Sequence, residues 1–127
     1  MNFKKRWYFF ILFSLVLIPF IYAQEELYYS VPFVNRMLKI GGFLDVKIFF
    51  TGTNTQPANL VFSMEGNVSE FIRLDKDTAI LEPGKEVNLS VTILTNKYGH
   101  YNGSLVISGG LKGNIPFNIT IVFVSVL

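Results

Sequence analysis

From Gln24 onward the chain alternates apolar and polar residues with a period of two, and short clusters of Gly, Asn, Asp and Pro interrupt the alternation. Successive side chains of a strand point to opposite faces, so each such run predicts a half-buried strand bounded by turns. Leu44, Val46, Ile48 and Phe50 fall on one face, with Asp45 and Lys47 on the other. A polar loop from Thr51 to Pro57 leads to Leu60, Phe62 and Met64, ended by a turn at Glu65-Gly66-Asn67. Ile72 and Leu74 form a short strand that stops at Asp75-Lys76-Asp77. Ile80 and Leu81 run into Pro83-Gly84, with Pro and Gly at the second and third positions of a turn. Val87, Leu89, Val91 and Ile93 then alternate with Asn88, Ser90 and Thr92. After a turn at Lys97-Tyr98-Gly99-His100, Tyr101, Gly103, Leu105 and Ile107 make the next inward row, broken by Gly109 and Gly110. Ile115, Phe117, Ile119, Ile121 and Phe123 make the last. With one strand inside residues 27–40, the pattern predicts about seven strands and no helix. That is an all-β, immunoglobulin-like sandwich, with a closed β-barrel as the alternative.

The first twenty-three residues follow a different rule. Lys4, Lys5 and Arg6 precede an uncharged apolar run over residues 8–18, broken by Pro19 and ending at Ala23. Basic, apolar and small-residue regions in that order read as a secretory signal, with cleavage after Ala23 and a mature chain starting at Gln24. Ile21 stands where a small residue is favoured. An uncleaved anchor is the competing reading, because residues 7–23 reach the lower end of a membrane-spanning length, about 17–25 residues. The domain expectation is therefore a signal peptide or anchor over residues 1–23 and one sandwich over residues 24–127. Either way the positive flank keeps residues 24–127 outside the membrane, secreted or at the cell surface.

Composition narrows the function. There is no cysteine, which excludes disulfides, thiolate metal sites and cysteine nucleophiles. The formal charge of +2 comes from the leader: without its three cations, eight basic residues face nine acidic ones. Nucleic acid is therefore not an expected partner.

The second half resembles the immunoglobulin-like modules of bacterial and archaeal surface proteins. The shared features are a Pro-Gly turn at Leu81-Glu82-Pro83-Gly84-Lys85, a long alternating strand from Val87 to Thr95, Gly99-His100-Tyr101-Asn102-Gly103-Ser104-Leu105, and a final apolar strand from Ile115 to Val124. The resemblance spans about residues 40–125 and implies a sandwich without assigning a ligand.

Four Asn-x-Ser/Thr sequons, at Asn67, Asn88, Asn102 and Asn118, stand where chance predicts about one. Asn88, Asn102 and Asn118 lie opposite the apolar rows and Asn67 in a turn, so all four are candidate glycosylation sites. The alternative is that Asn, Ser and Thr are simply common on polar strand faces. His100, the only histidine, reads as a hairpin-turn residue. Asp75 and Asp77 with Glu70 contain too few oxygen ligands for a convincing calcium loop. No serine has a nucleophile's setting and no glycine cluster precedes a helix, so neither catalysis nor a cofactor is expected.

Tyr28 and Tyr29 near the mature start, and Tyr98 and Tyr101 around one turn, are residue types favoured at contacts. The Tyr101 ring is expected to pack beside its flanking glycines. Val122, Val124 and Val126 occupy the face of the last strand that should be polar, and Phe43 and Phe49 lie opposite their strand's apolar row. Such positions expect a cover, either the N-terminal segment or another molecule. Tyr28, Tyr29, Val122 and Val124 are accordingly the candidate partner contacts. The expected function is a non-catalytic envelope module, structural or adhesive, with other envelope proteins, glycans or itself as partner. The alternative is a filament subunit that donates residues 27–34 to its neighbour's sheet. A glycan-binding accessory of a secreted enzyme is a third class.

Overall fold

The computed structural model describes residues 24–123. The proposed leader, Val124 and Val126 lie outside the described residues. Nine strands build two sheets: β1 (Leu27–Tyr29), β2 (Val34–Lys39), β3 (Phe43–Gly52), β4 (Ala58–Gly66), β5 (Ile72–Leu74), β6 (Thr78–Leu81), β7 (Val87–Leu94), β8 (Gly99–Gly109) and β9 (Gly113–Val122). One sheet runs β1-β3-β7-β5 and the other β2-β9-β8-β4-β6. These orders match the two sheets of an immunoglobulin-like sandwich, with β7, β8 and β9 as the last three strands of that plan. The expected fold class is thus the observed one.

The alternating rows face each other as the period of two requires. Ile48 and Phe50 of β3, Leu89, Val91 and Ile93 of β7, Leu60 and Phe62 of β4, Leu105 and Ile107 of β8, and Ile115 to Ile121 of β9 close one core. Every buried hydrophobic among the described residues lies between Val34 and Ile121. This part of the chain therefore carries its own complete core.

Three local features differ from the expectation. Residues 27–40 hold two strands, because the chain pairs with β3 as β1, leaves that sheet through Val31, Pro32 and Phe33, and joins the other as β2. Proline lacks the N–H that a ladder needs, so the crossing falls there. Thr78–Leu81 is a further short strand, paired to β4, which brings the count to nine. The expected turn at Glu65-Gly66-Asn67 is instead the end of β4 followed by a 3-10 turn over Asn67–Phe71 that buries Val68 and Phe71.

Gly103, in the Gly99–Gly103 run, has a packing reason. Gly103 lies opposite Gly66, and a Cβ at 103 would collide with the Glu65 carbonyl and the Val68 side chain. Tyr101 packs its ring on Phe71, centroids 4.3 Å apart, and its hydroxyl lies 3.1 Å from the carbonyl oxygens of both Lys97 and Tyr98. This backward hydrogen bond at the start of β8 is the tyrosine corner of immunoglobulin-like folds. The Pro83-Gly84 turn also forms as expected, with Gly84 at φ 71 and the Lys85 amide donating to the Glu82 carbonyl.

The facing of β7 has a direct test. Val91 is fully buried between β3 and β5, whereas Asn88 faces solvent. Val91→Asp places an unpaired carboxylate in the core at a cost of several kcal/mol, against a whole-domain stability of about 5–15 kcal/mol. Thermal melts followed by circular dichroism are expected to show Val91→Asp unfolded and Asn88→Asp close to the parent. Equal melting of the two would reverse the facing assigned to β7.

Candidate functional site

One flank of the sandwich is left open by the crossing of the N-terminal segment. β1 pairs only with Phe50, Thr51 and Gly52 at the end of β3. One residue further on, the Ser30 amide donates to the Phe49 carbonyl at 3.0 Å, and the Ser30 hydroxyl accepts the Phe49 amide at 2.9 Å. Beyond that point no described strand pairs with this side of β3, and residues 43–48 form an unpaired edge. Phe49 directs its backbone groups toward β1, and so does Thr53's amide toward Glu26. Backbone groups alternate between the two sides of a strand, so those of Asp45 and Lys47 face the open edge.

The side chains along this edge are of two kinds. Phe43, Asp45, Lys47 and Phe49 point away from the core, and Phe43 is 71% exposed. Leu44 and Val46 point inward but are only half-buried, unlike Ile48 and Phe50 behind them. Beside Val46 lies a shallow groove of about 190 Å³, walled by Val31, Phe33, Val34, Asn35 and Arg36. Asp45 is held in place by the Thr92 hydroxyl, which donates to its Oδ1 at 2.6 Å.

On the outer face of the five-stranded sheet, three of the four sequons come together. Asn102 of β8 lies directly opposite Asn118 of β9, which in turn lies opposite Asn35 of β2. Asn67 extends this row, because its Oδ1 accepts the Asn102 amide at 2.7 Å. All four asparagines are exposed. Asn88 is exposed on the other sheet, opposite Phe49. The alternation in the sequence could place Asn88, Asn102 and Asn118 on outer faces but could not gather Asn67, Asn102 and Asn118 in one row, since that depends on strand register.

The remaining candidates separate clearly. Tyr28 is 51% exposed and points outward. Tyr29 turns inward, edge-on to Phe50, and donates its hydroxyl to the Asn114 carbonyl at 3.2 Å. It thus belongs to the packing between the sheets. Val122 is half-buried and paired with Lys39 of β2, so the N-terminal segment lies beside it. Phe123 falls past the end of β9 and leaves the inward row expected for it; its ring packs edge-on against Tyr98 at 5.5 Å. His100 is in β8 rather than in a turn, with Nδ1 2.8 Å from the Thr120 hydroxyl oxygen. Among the described residues no three His, Asp or Glu side chains gather closely enough to hold a metal ion, Glu70, Asp75 and Asp77 included. Asp75 instead accepts the Ser90 amide at 2.9 Å, which fixes β5 to β7.

No protein-family model and no curated protein sequence matches the chain. Its fold, by contrast, is shared with many solved structures. The ASH/PapD-like domain 7 of human CEP192 superposes with a TM-score of 0.67 at 9% identity, covering 79% of this chain and 87% of that domain. A family 123 glycoside hydrolase from Clostridium perfringens gives 0.62 at 13% identity over 80% of this chain, but over only 28% of the enzyme. The CupB2 chaperone of Pseudomonas aeruginosa gives 0.58 at 10% identity, covering 74% of this chain and 55% of the chaperone. At such identities the likeness shows an immunoglobulin-like, PapD-like fold and carries no activity with it.

The Tyr28 side chain makes the N-terminal contact measurable. Its hydroxyl donates to Glu26 Oε2 at 3.0 Å, and this bond, reinforced by the carboxylate's charge, raises the phenol above its ordinary pKa. The folded form thereby favours the protonated phenol, a contribution present below the ordinary phenol range and lost as pH rises through the raised pKa. Glu26→Gln is expected to move the Tyr28 titration back down, read from the ring carbon shift against pH. An unchanged midpoint would show that the two side chains do not meet.

Proposed function

We propose that residues 24–127 are an exported, non-catalytic immunoglobulin-like module of the cell envelope, of the kind carried by bacterial and archaeal surface proteins, acting in structure or adhesion by protein contact. The observation that carries this reading is the unpaired edge of β3: the molecule offers strand backbone and exposed aromatic rings where an enzyme would present a cluster of reactive groups. Edges of this kind bind extended segments through backbone hydrogen bonds. A chaperone with the same fold supports a protein partner over a small molecule.

The basic, apolar and small-residue order of residues 1–23 supports export, with cleavage after Ala23. In a host with the machinery, the exposed sequons on the outer faces are the sites for glycans. The segment suggested as a donor strand is used within its own domain, as β1 on one sheet and the start of β2 on the other. That arrangement favours the self-contained module over the filament subunit.

The test is fractionation and intact-mass measurement of the full chain expressed in a secreting host. The expected product lies outside the cytoplasm, begins at Gln24 and has no tryptophan absorbance, since Trp7 is the single tryptophan. An intact chain in the membrane fraction with residues 24–127 outside would replace the cleaved signal with an anchor. A full-length chain in the cytosol overturns export and the envelope role with it.

A further inference from the structure

We infer that the open edge of β3 is a self-complementary dimer surface, on which a second copy of this chain adds its own β3 antiparallel to the first. The pattern of the edge itself identifies the occupant. Outward-facing residues read Phe43, Asp45, Lys47, Phe49. An antiparallel two-fold axis through Val46 sets Asp45 against Lys47 of the second copy and Lys47 against Asp45 of the second copy. Opposite charges directly across a strand pair attract, and like charges there repel. The same axis sets aromatic Phe43 in the row of Phe49 of the second copy. An isologous interface requires this reciprocity, in which each contact occurs twice.

Backbone geometry selects the same register. Directly opposed residues of an antiparallel pair must share hydrogen-bonding phase. Asp45 and Lys47 both direct their backbone groups to the open edge, by alternation from Phe49. They therefore form two hydrogen-bonded pairs around the axis, about four bonds in all. The two Val46 residues form the intervening non-hydrogen-bonded pair, with Cα atoms about 4.5 Å apart. Their side chains lie on the inner face, where the groove walled by Val31, Phe33 and Val34 is open. An axis through Asp45 would oppose two carboxylates, and one through Leu44 would leave Lys47 without its counter-charge. Ser30 already holds the edge at Phe49, so the added pairing extends over residues 44–48 and joins two four-stranded sheets into one of eight.

The experiment is sedimentation of residues 24–127 over a wide concentration range, with circular dichroism melts to confirm that each variant is folded. The parent is expected to dimerise. Asp45→Lys and Lys47→Asp each replace two attractive pairs with two repulsive ones and are expected to weaken the dimer about tenfold. Mixed in equal amounts, the two variants restore both pairs and are expected to form a heterodimer as tight as the parent. Val46→Cys, in a chain without other cysteines, is expected to cross-link to its counterpart on oxidation. A parent that stays monomeric at every concentration would overturn the proposal and show the charges to be edge protection. Dimerisation that neither single variant weakens, or that mixing does not restore, would overturn it by placing the contact elsewhere. The exported-module reading is tested by cell fraction and mass, and stands or falls independently of these results.

Discussion

A single N-terminal segment serves two sheets, and it cannot cover both. Three residues of β1 close the end of β3 before the chain crosses at Val31, Pro32 and Phe33, and six residues of β2 then run parallel to β9. Had the segment stayed on β3, the apolar β9 would stand as a bare edge, with Ile119 and Ile121 in its inward row. By crossing, it makes β9 an interior strand and leaves the shorter exposure on β3, whose open residues include Asp45 and Lys47. Long apolar edges promote aggregation, while charges blunt them. The crossing therefore moves the unpaired edge from the most apolar strand to one with charged residues along it.

The same crossing explains which half of the β3 inner row is tightly packed. Phe50 pairs with β1, Ile48 lies one residue past the Ser30 contact, and both are fully buried. Leu44 and Val46 lie beyond it, inward by parity yet only half-covered. Burial along this strand thus falls off just past the point where the neighbouring backbone ends, although the sequence alternation continues unchanged. Thr95 closes the far end of the flank: its buried hydroxyl accepts the Gly42 amide at 2.7 Å and donates to the Gly42 carbonyl at 2.8 Å. This fixes the start of β3 to the end of β7 where no β1 residue reaches.

Much of this was legible in the chain because long antiparallel strands announce themselves by parity. The rows through Leu44, Leu60, Val87, Leu105 and Ile115 all face the core as their alternation predicts. What alternation hid were the short elements. β1 has three residues and β6 four, too few to show a period. The 3-10 turn rests on Val68 and Phe71, a single pair three apart, within a segment that reads as polar. Pro32 was the available sign of a break within residues 27–40. The pairing of β2 with β9 joins strands more than eighty positions apart and leaves no local signature. Tyr28 and Tyr29 show the same limit: parity separates them, but only the partner strand decides which one faces the core.

Register, more than composition, determines what the sequons can carry. Opposed residues on neighbouring antiparallel strands have Cβ atoms about 4.5–5.5 Å apart, less than the breadth of one sugar ring's surroundings. Asn102 and Asn118 stand in that relation, and Asn67 is hydrogen-bonded to the backbone of Asn102. In the glycosylated reading a glycan on one of the three crowds its neighbours, so full occupancy of the row is sterically disfavoured. Asn88 stands apart on the other sheet, opposite Phe49 and one strand removed from the open edge. A glycan there would be anchored at the end of the edge where Ser30 already stops pairing, leaving residues 44–48 free. The two outer faces are thus chemically unequal, one crowded with asparagine and the other bordering an unpaired strand. A molecule of this shape is better disposed to meet another chain along the flank of β3 than across the asparagine face.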